Sequence, residues 1–284
     1  MKIKSAVRKT ARAAALDVLS AKAIADGSIE HGMSIPHVQL PYFHDLPAAD
    51  EEAFRRIVAR IAETHELIPY SDAMQRIDSG NFDRPYAAFS FDDGFISNLR
   101  IAKILEDFGT RGMFFVPTEF IGTRTTAEAR AFFGFADGVD EGAMSWHDLE
   151  LLKQRGHEIG NHTSGHKVLS WVSPGEAIDQ ISSGAEAIRA QLGECHHFAW
   201  PRGRYFHMTA LAAQAVFDAG HSSCASAERG AHSRREAQPL RDTCIRRNHV
   251  LASWPQRHID FFFASTALQS IGSPDLWPGE LQIL

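Results

Sequence analysis

Two stretches of the chain bring together side chains that do metal and proton chemistry. The first is Phe89-Ser90-Phe91-Asp92-Asp93-Gly94, where an apolar run from Ala87 to Phe91 ends in adjacent carboxylates and a glycine. A short buried strand that delivers two acids to its tip is costly unless the acids have partners. At a frayed tip both side chains can turn toward one site. One carboxylate then holds a metal while its neighbour handles a proton; an Asp-Asp-Gly turn closing a strand is the plainer alternative. The second stretch is His162-Thr163-Ser164-Gly165-His166. Two histidines four apart share one face of a helical turn, or converge from a loop. With one carboxylate they form a set of three protein ligands that leaves positions open, the pattern of catalytic rather than structural metal.

Such groups need a frame, and the periodicities supply one. A short strand lies between the prolines of residues 35–46, and Phe54, Ile57, Val58 and Ile61 recur at helical spacing behind the acids Asp50-Glu51-Glu52. The polar stretch Ser71 to Pro85 reads as a connector. A helix through Leu99, Ala102, Leu105 and Phe108 closes at Gly109, and Met113 to Val116 is a buried strand. Residues Thr118 to Ala143 read as an insertion or lid loop. Ser145 with Asp148 and Ser173-Pro174 with Glu176 are helix starts, the latter with proline at the first helical position. Strands are expected at 157–162, 197–201, 221–225 and 244–250, with helices after the first two, a basic polar loop after the third, and a helix in the tail at 259–263. This alternation predicts an α/β fold, one domain built on a parallel sheet or barrel. In such folds chemistry sits at the C-terminal ends of strands, where Asp92-Asp93, His162 and Arg202 all fall.

The bulk properties narrow the partners. The formal charge of −6 argues against general nucleic-acid binding. Three widely spaced cysteines, Cys195, Cys224 and Cys244, form no Cys-x-x-Cys pair; they read as buried apolar residues of a protein from a reducing compartment. Residues 1–35 form a basic N-terminal arm, expected to be helical, with Lys2, Lys4, Arg8, Lys9, Arg12 and Lys22 against Asp17. It lacks the apolar core of a secretory signal, so the expected location is cytoplasmic. Its thin apolar face (Val7, Leu16, Val18, Leu19) suits a solvated arm, with peripheral contact to an anionic membrane as the alternative. Residues 36–284 are expected to form the one domain that carries the chemistry.

Ser-Phe-Asp-Asp-Gly (90–94) followed by His-Thr-Ser-Gly-His (162–166) resembles the first two motifs of the NodB-type polysaccharide deacetylases, carbohydrate esterase family 4. The likeness runs from about Tyr42 to Val250 and includes Gly156 to Asn161. It implies a distorted (β/α)7-type barrel and a metal-dependent hydrolase that removes N-acetyl groups from an amino-sugar glycan or glycan precursor, releasing acetate. The implied cofactor is a divalent metal, usually zinc. Carried over by position, Asp93, His162 and His166 are the metal ligands and Asp92 the general base.

The third motif, Phe198-Ala199-Trp200-Pro201-Arg202-Gly203, resembles the family's Phe-Ala-Tyr-Pro-Tyr-Gly version, whose backbone N–H after proline stabilises the oxyanion. Arg202 stands where tyrosine is usual, and the N–H survives that change. Arg247, with Arg246 as the alternative, matches an arginine that pairs with the catalytic base. Tyr42-Phe43-His44-Asp45 matches the setting of the general acid in one branch of the family, which makes His44 the proton donor. The other branch uses a late histidine, for which His249 and His258 are the candidates here. Hydrolysis of a non-sugar amide on the same fold, or glycan binding without catalysis, are the competing functions.

Overall fold

The computed structural model describes residues 2–123, 125–134, 141–273 and 275–281, with side chains from residue 11 onward. The strands in chain order are β1 (His37–Gln39), β2 (Pro41–Phe43), β3 (Glu66–Leu67), β4 (Pro85–Ala87), β5 (Ser90–Phe91), β6 (Met113–Val116), β7 (Glu158–Asn161), β8 (His197–Ala199), β9 (Ser223–Ala225), β10 (Ala231–His232) and β11 (Asn248–His249). The helices are α1 (Lys2–Ala25), α2 (Ser28–Ser34), α3 (Glu51–Ala62), α4 (Tyr70–Ser79), α5 (Asn98–Asp107), α6 (Thr126–Phe133), α7 (Trp146–Gln154), α8 (Pro174–Leu192), α9 (Ala210–Asp218) and α10 (Gln256–Ser270).

Seven strands form one parallel sheet in the order β11-β2-β5-β6-β7-β8-β9. A parallel bridge between Ala225 and Ile245 brings the chain just ahead of β11 against β9, so the sheet curls back on itself. This is the expected distorted (β/α)7 barrel. Its strands are short and nearly all buried, which is why they read as apolar runs without alternation. A second sheet, β10-β1-β4-β3, lies at the other end of the same chain segments. The single strand expected at 35–46 is therefore two, β1 and β2, split at Leu40. The apolar run ending at Phe91 likewise splits between β4 and β5 at Ala88-Phe89, because each segment changes sheets there.

The helix starts follow local chemistry. Ser145 accepts from the Asp148 N–H at 3.2 Å and Asp148 Oδ2 accepts from the Ser145 N–H at 2.8 Å, a complete capping box. Ser173 accepts from the Glu176 N–H at 3.2 Å ahead of Pro174, without the reciprocal bond from Glu176. The stretch from Ser71 is not a plain connector: α4 buries Tyr70, Ala73, Met74 and Ile77 on one face. Residues 118–143 are not all loop either, since α6 is a helix opened by a Thr125–Glu128 capping box. Residues 135–140 of that expected insertion lie outside the described residues. The N-terminal arm is helical, as α1 and α2, and α1 docks on α10 through Asp17, which accepts from Arg257 Nε (2.9 Å) and pairs with His258 Nε2 (2.6 Å). The three cysteines are free and buried.

Candidate metal centre and active site

The tip of β5 turns sharply. Asp93 and Gly94 both have positive φ, 75° and 74°, and this left-handed step redirects the two carboxylates of Asp92 and Asp93 into one cavity. The Asp92 N–H is held by the Phe43 carbonyl at 2.9 Å, so β2 and β5 position the pair together. Asp92 is 3% exposed and Arg247 wholly buried. Their bond is bidentate: Nη1 to Oδ1 at 2.7 Å and Nη2 to Oδ2 at 2.9 Å. Arg247 is itself fixed by Nε donating to the Ser226 carbonyl at 2.8 Å, Nη1 to Ser90 Oγ at 3.2 Å, and the Tyr42 ring 4.4 Å from its guanidinium carbon. Burial alone would push the Asp92 carboxyl up; the charge and hydrogen bonds of Arg247, with His162, outweigh it and hold Asp92 below its ordinary value. Arg246 points elsewhere, to Asp275, which answers the choice between the two arginines geometrically.

Asp93 faces the two histidines. Its Oδ1 lies 3.5 Å from His162 Nε2 and 3.2 Å from His166 Nε2, and the three ligand atoms fall within 4.8 Å of one another. Among the described residues this is the one cluster of three or more such groups disposed to hold an ion. The histidines come from a loop rather than a helical turn, with Thr163 and His166 at φ 70° and 53°. The loop is built by Asn161, whose Oδ1 accepts from the Thr163 N–H at 2.9 Å while its Nδ2 donates to the Ile181 carbonyl at 2.9 Å. Gln180 adds a second tie, accepting from the Gly165 N–H at 2.8 Å. Gly184 of α8 has no side chain, and a Cβ there would collide with Asn161 Oδ1.

The donor set fits a divalent cation. His162 Nδ1 donates to the Ala199 carbonyl at 2.7 Å, so the neutral ring presents its lone pair at Nε2, toward Asp93. Asp93 Oδ1 is buried and accepts no well-formed hydrogen bond. A carboxylate oxygen and imidazole lone pairs converging without a proton between them repel one another, and a cation removes the conflict. Two imidazoles and a carboxylate suit zinc and its first-row neighbours.

Around this centre is a mouth of about 360 Å³ lined by Asp92, Asp93, His162 and His166, with Tyr42, His44, Trp200, Arg202, His249 and Leu251 among its walls. His44 stands on the wall with its ring 5.2 Å from His249 and 5.5 Å from Tyr42. His249 lies in the same mouth, so the late histidine of the sequence reading is spatially beside the early one. Burial first, then the nearby charges of His44 and Arg229, push the His249 ring down to about 3, which leaves it neutral and a poor proton source. His258 is outside the mouth, paired with Asp17. Arg202 sits at φ 63° in the turn after β8, and the Trp200 indole N–H ties that turn by donating to the Arg204 carbonyl at 3.2 Å. Phe133 of α6 packs edge-on against His166 at 4.9 Å, placing α6 against one of the three candidate ligands.

All seven residues singled out in the sequence therefore line one cavity or, for Arg247, brace it from behind. Sequence reading did not assign Asn161, Gln180, Ser90 or Phe133. Asn161 falls inside a stretch that already resembled the family, and that was its one signal.

Comparison with known proteins follows the same line. Residues 79–220, half of the chain, match the family described as polysaccharide deacetylase. The fold matches the Streptococcus pyogenes deacetylase PplD, solved in complex with acetate, at TM-score 0.62 and 15% identity over 86% of this chain and 100% of that one. IcaB from Ammonifex degensii matches at TM-score 0.63 and 17% identity, over 82% and 97%. A de-N-acetylase from Aggregatibacter actinomycetemcomitans matches at TM-score 0.60 and 13% identity, over 80% and 99%. At such identities the likeness speaks for the fold. No curated protein sequence matches the chain.

Proposed function

We propose that this chain, which belongs to the polysaccharide deacetylase family, runs its family's amide hydrolysis with six residues of the mouth, and Arg247 behind it, in defined roles. The chain is a hydrolase of the N-acetyl amides of amino sugars. The observation that carries the assignment of roles is the division of two adjacent carboxylates: Asp92 is spoken for by Arg247, Asp93 by two histidines.

Asp93, His162 and His166 would hold the divalent metal, for which we propose zinc. When bound, such an ion supplies Lewis-acid polarisation and an acidified water. Asp92, kept ionised by Arg247, takes a proton from the water as its oxygen adds to the acetyl carbonyl carbon. The backbone N–H of Arg202 is assigned to the developing oxyanion. His44, across the mouth, gives its proton to the amine nitrogen as the C–N bond breaks, leaving acetate and a free amino sugar. His249 packs against His44 and orients it.

The location we propose is the cytoplasmic face of a membrane. Residues 1–16 carry five basic and no acidic side chains, so the chain's −6 divides into +5 there and −11 over the rest. Anionic lipid concentrates in the cytoplasmic leaflet and attracts such segments. Val18 and Leu19 of α1 are exposed, which suits a helix lying on that surface. No described helix is long and apolar enough to cross a bilayer.

The deciding experiment is acetate release from a panel of N-acetylated sugars by zinc-loaded protein, beside Asp92→Asn protein. Release by the wild type and none by the variant is expected. No release by either, with metal bound, defeats the proposed roles, and release from non-sugar amides alone moves the substrate class.

A further inference from the structure

Arg229, in the segment between β9 and β10, carries a charge that the rest of the protein does not balance. It is partly buried, yet among the described residues no carboxylate pairs with it. Glu228, its neighbour in sequence, is taken: Oε1 accepts from Arg204 Nε at 3.2 Å and from the Tyr205 N–H at 3.1 Å. Arg229 meets neutral acceptors instead, Nη1 donating to Asn248 Oδ1 and Nη2 to the His249 carbonyl, both at 3.3 Å. The Phe262 ring lies 4.1 Å and the Trp254 ring 5.7 Å from its guanidinium carbon. Stacking of this kind occupies a face of the guanidinium and leaves in-plane N–H donors uncommitted. Burial and the like charges of Arg12 and Arg204 push the group down to about 10. At neutral pH it is still a cation, without a counter-ion.

This cation backs the wall of the catalytic mouth. His249, to whose carbonyl it is tied, lines the mouth, and so does Tyr42, the partner of His249 across β2 and β11. The charge of Arg229 bears on both rings. Arg202 lines the same mouth, and Arg12 of α1 is near enough for its charge to bear on Arg229. Arginines of the mouth, its wall and the arm thus gather at one edge of a chain whose formal charge is −6.

The geometry points to Arg229 as the binding residue for a phosphate ester carried by the acetylated sugar. A guanidinium fork matches phosphate oxygens bidentately, and a phosphate supplies the counter-charge that this cation lacks. A neutral sugar leaves Arg229 unbalanced. Membrane phospholipid offers the same chemistry, but Arg229 is fixed to the wall of the mouth and not displayed on α1. The substrate class is therefore a sugar phosphate or diphosphate ester, as built on a nucleotide or a lipid carrier. This inference rests on the deacetylase reading above.

The test compares kcat/KM for three esters with that for N-acetylglucosamine: its 1-phosphate, its uridine diphosphate ester and a short-chain polyprenyl diphosphate ester. In the wild type at least one ester should be favoured about tenfold or more, chiefly through KM, the worth of one charge-assisted contact. Which ester is favoured identifies the carrier. In Arg229→Gln that ratio should fall to near one. Arg229→Lys, which keeps the charge without the fork, should keep part of it, and it serves alone if Arg229→Gln does not fold. A merely structural role would lower all substrates alike and preserve the ratio. A wild-type ratio near one for every ester, or a ratio that these variants leave unchanged, overturns the inference. Calorimetric titration of N-acetylglucosamine 1-phosphate into Asp92→Asn and Asp92→Asn/Arg229→Gln proteins reads the site without turnover. Any phosphate held at the metal centre contributes equally to both. If the wild type hydrolyses nothing, the deacetylase assignment falls and this titration still decides: weaker binding in the double variant upholds the site, and equal or absent binding overturns it. An ester preference kept in Arg229→Gln, with binding to phosphatidylglycerol vesicles lost, would give Arg229 to lipid and likewise overturn it.

Discussion

Arg247 meets Asp92 through two parallel N–H···O bonds of 2.7 and 2.9 Å, with the guanidinium wholly buried. A buried pair of this kind is weak evidence for stability taken as a unit, because desolvation offsets the attraction. Breaking it from one side is different. Arg247→Met leaves an uncompensated carboxylate and should destabilise the fold by about 3–5 kcal/mol. Asp92→Asn in turn leaves the buried Arg247 guanidinium without its counter-charge and should cost a comparable amount. The double variant should lose less than the sum of the two, since the residues act as a unit. Chemical denaturation of the three proteins checks this; additive losses would refute the coupling.

Asp92→Asn should also lower deacetylation by roughly 10²–10⁴-fold while metal content stays the same. His162→Ala and His166→Ala should each lose bound metal. Chelation of the wild type should lower its melting temperature, because an ion that binds the folded chain stabilises it by mass action. Melting temperatures and metal analysis together test the ligand set, and unchanged stoichiometry in both histidine variants would sink it.

The choice between His44 and His249 as proton donor has a chemical test. His44→Ala should lose about 10²-fold or more on an N-acetyl sugar. It should lose far less on an activated acetate ester, whose leaving group needs no proton. His249→Ala should show a smaller loss, through misplacement of the His44 ring, and the two substrates should respond alike. Equal losses on amide and ester in His44→Ala would remove it from the acid role.

Removal of residues 1–16 should lower binding to anionic vesicles to the level found with zwitterionic ones, because the arm's +5 supplies the difference. Co-sedimentation at low and physiological salt reads this directly. Equal binding by full-length and shortened chains would place the contact elsewhere.

Stability should fall as the medium is acidified below about pH 6.5. His37 is pushed down to about 4 by burial, His221 also to about 4, and His197 to about 3. Each ring is neutral in the folded protein and takes a proton in the unfolded chain below the ordinary histidine value. Folded values below unfolded ones mean that their stabilisation is present above pH 6.5 and is lost as pH falls toward the folded values. By pH 5 the loss should be on the order of a few kcal/mol in total. Denaturant titrations across that range check the sign; a stability maximum near pH 5 would contradict it.

Much of this site was legible because its two motifs are local. Asp92-Asp93 and His162 to His166 each declare their chemistry within six residues, and cap residues such as Ser145 and Ser173 announce their helices. Helix α4 hid because its apolar positions Tyr70, Ala73, Met74 and Ile77 are interleaved with Ser, Asp, Gln and Arg, so the stretch read as polar. The split of one expected strand into β1 and β2 depends on a change of sheet at Leu40, which no local pattern marks. The neighbourhood of His44 and His249 is wholly tertiary: β2 and β11 pair in register, Tyr42 against His249. Asn161 and Gln180 shape the ligand loop through bonds to backbone, and an amide side chain gives no sign in sequence of which backbone it will meet.

Five non-glycine residues among those described have left-handed backbone, and four of them are Asp93, Thr163, His166 and Arg202. Such a conformation costs roughly 1–2 kcal/mol at an L-residue, and more at β-branched Thr163. Three of those four line the catalytic mouth and the fourth lies between the two histidines. Left-handed backbone at non-glycine residues is therefore concentrated, among the described residues, at this site. Substitution guided by thermal tolerance alone would favour glycine or asparagine at these places, and at Asp93 and His166 that route to a hardier protein erases the proposed ligands. Thr163 and Arg202 are the exceptions, since each contributes its backbone to the loop. They mark the two positions where robustness and chemistry need not be traded against each other.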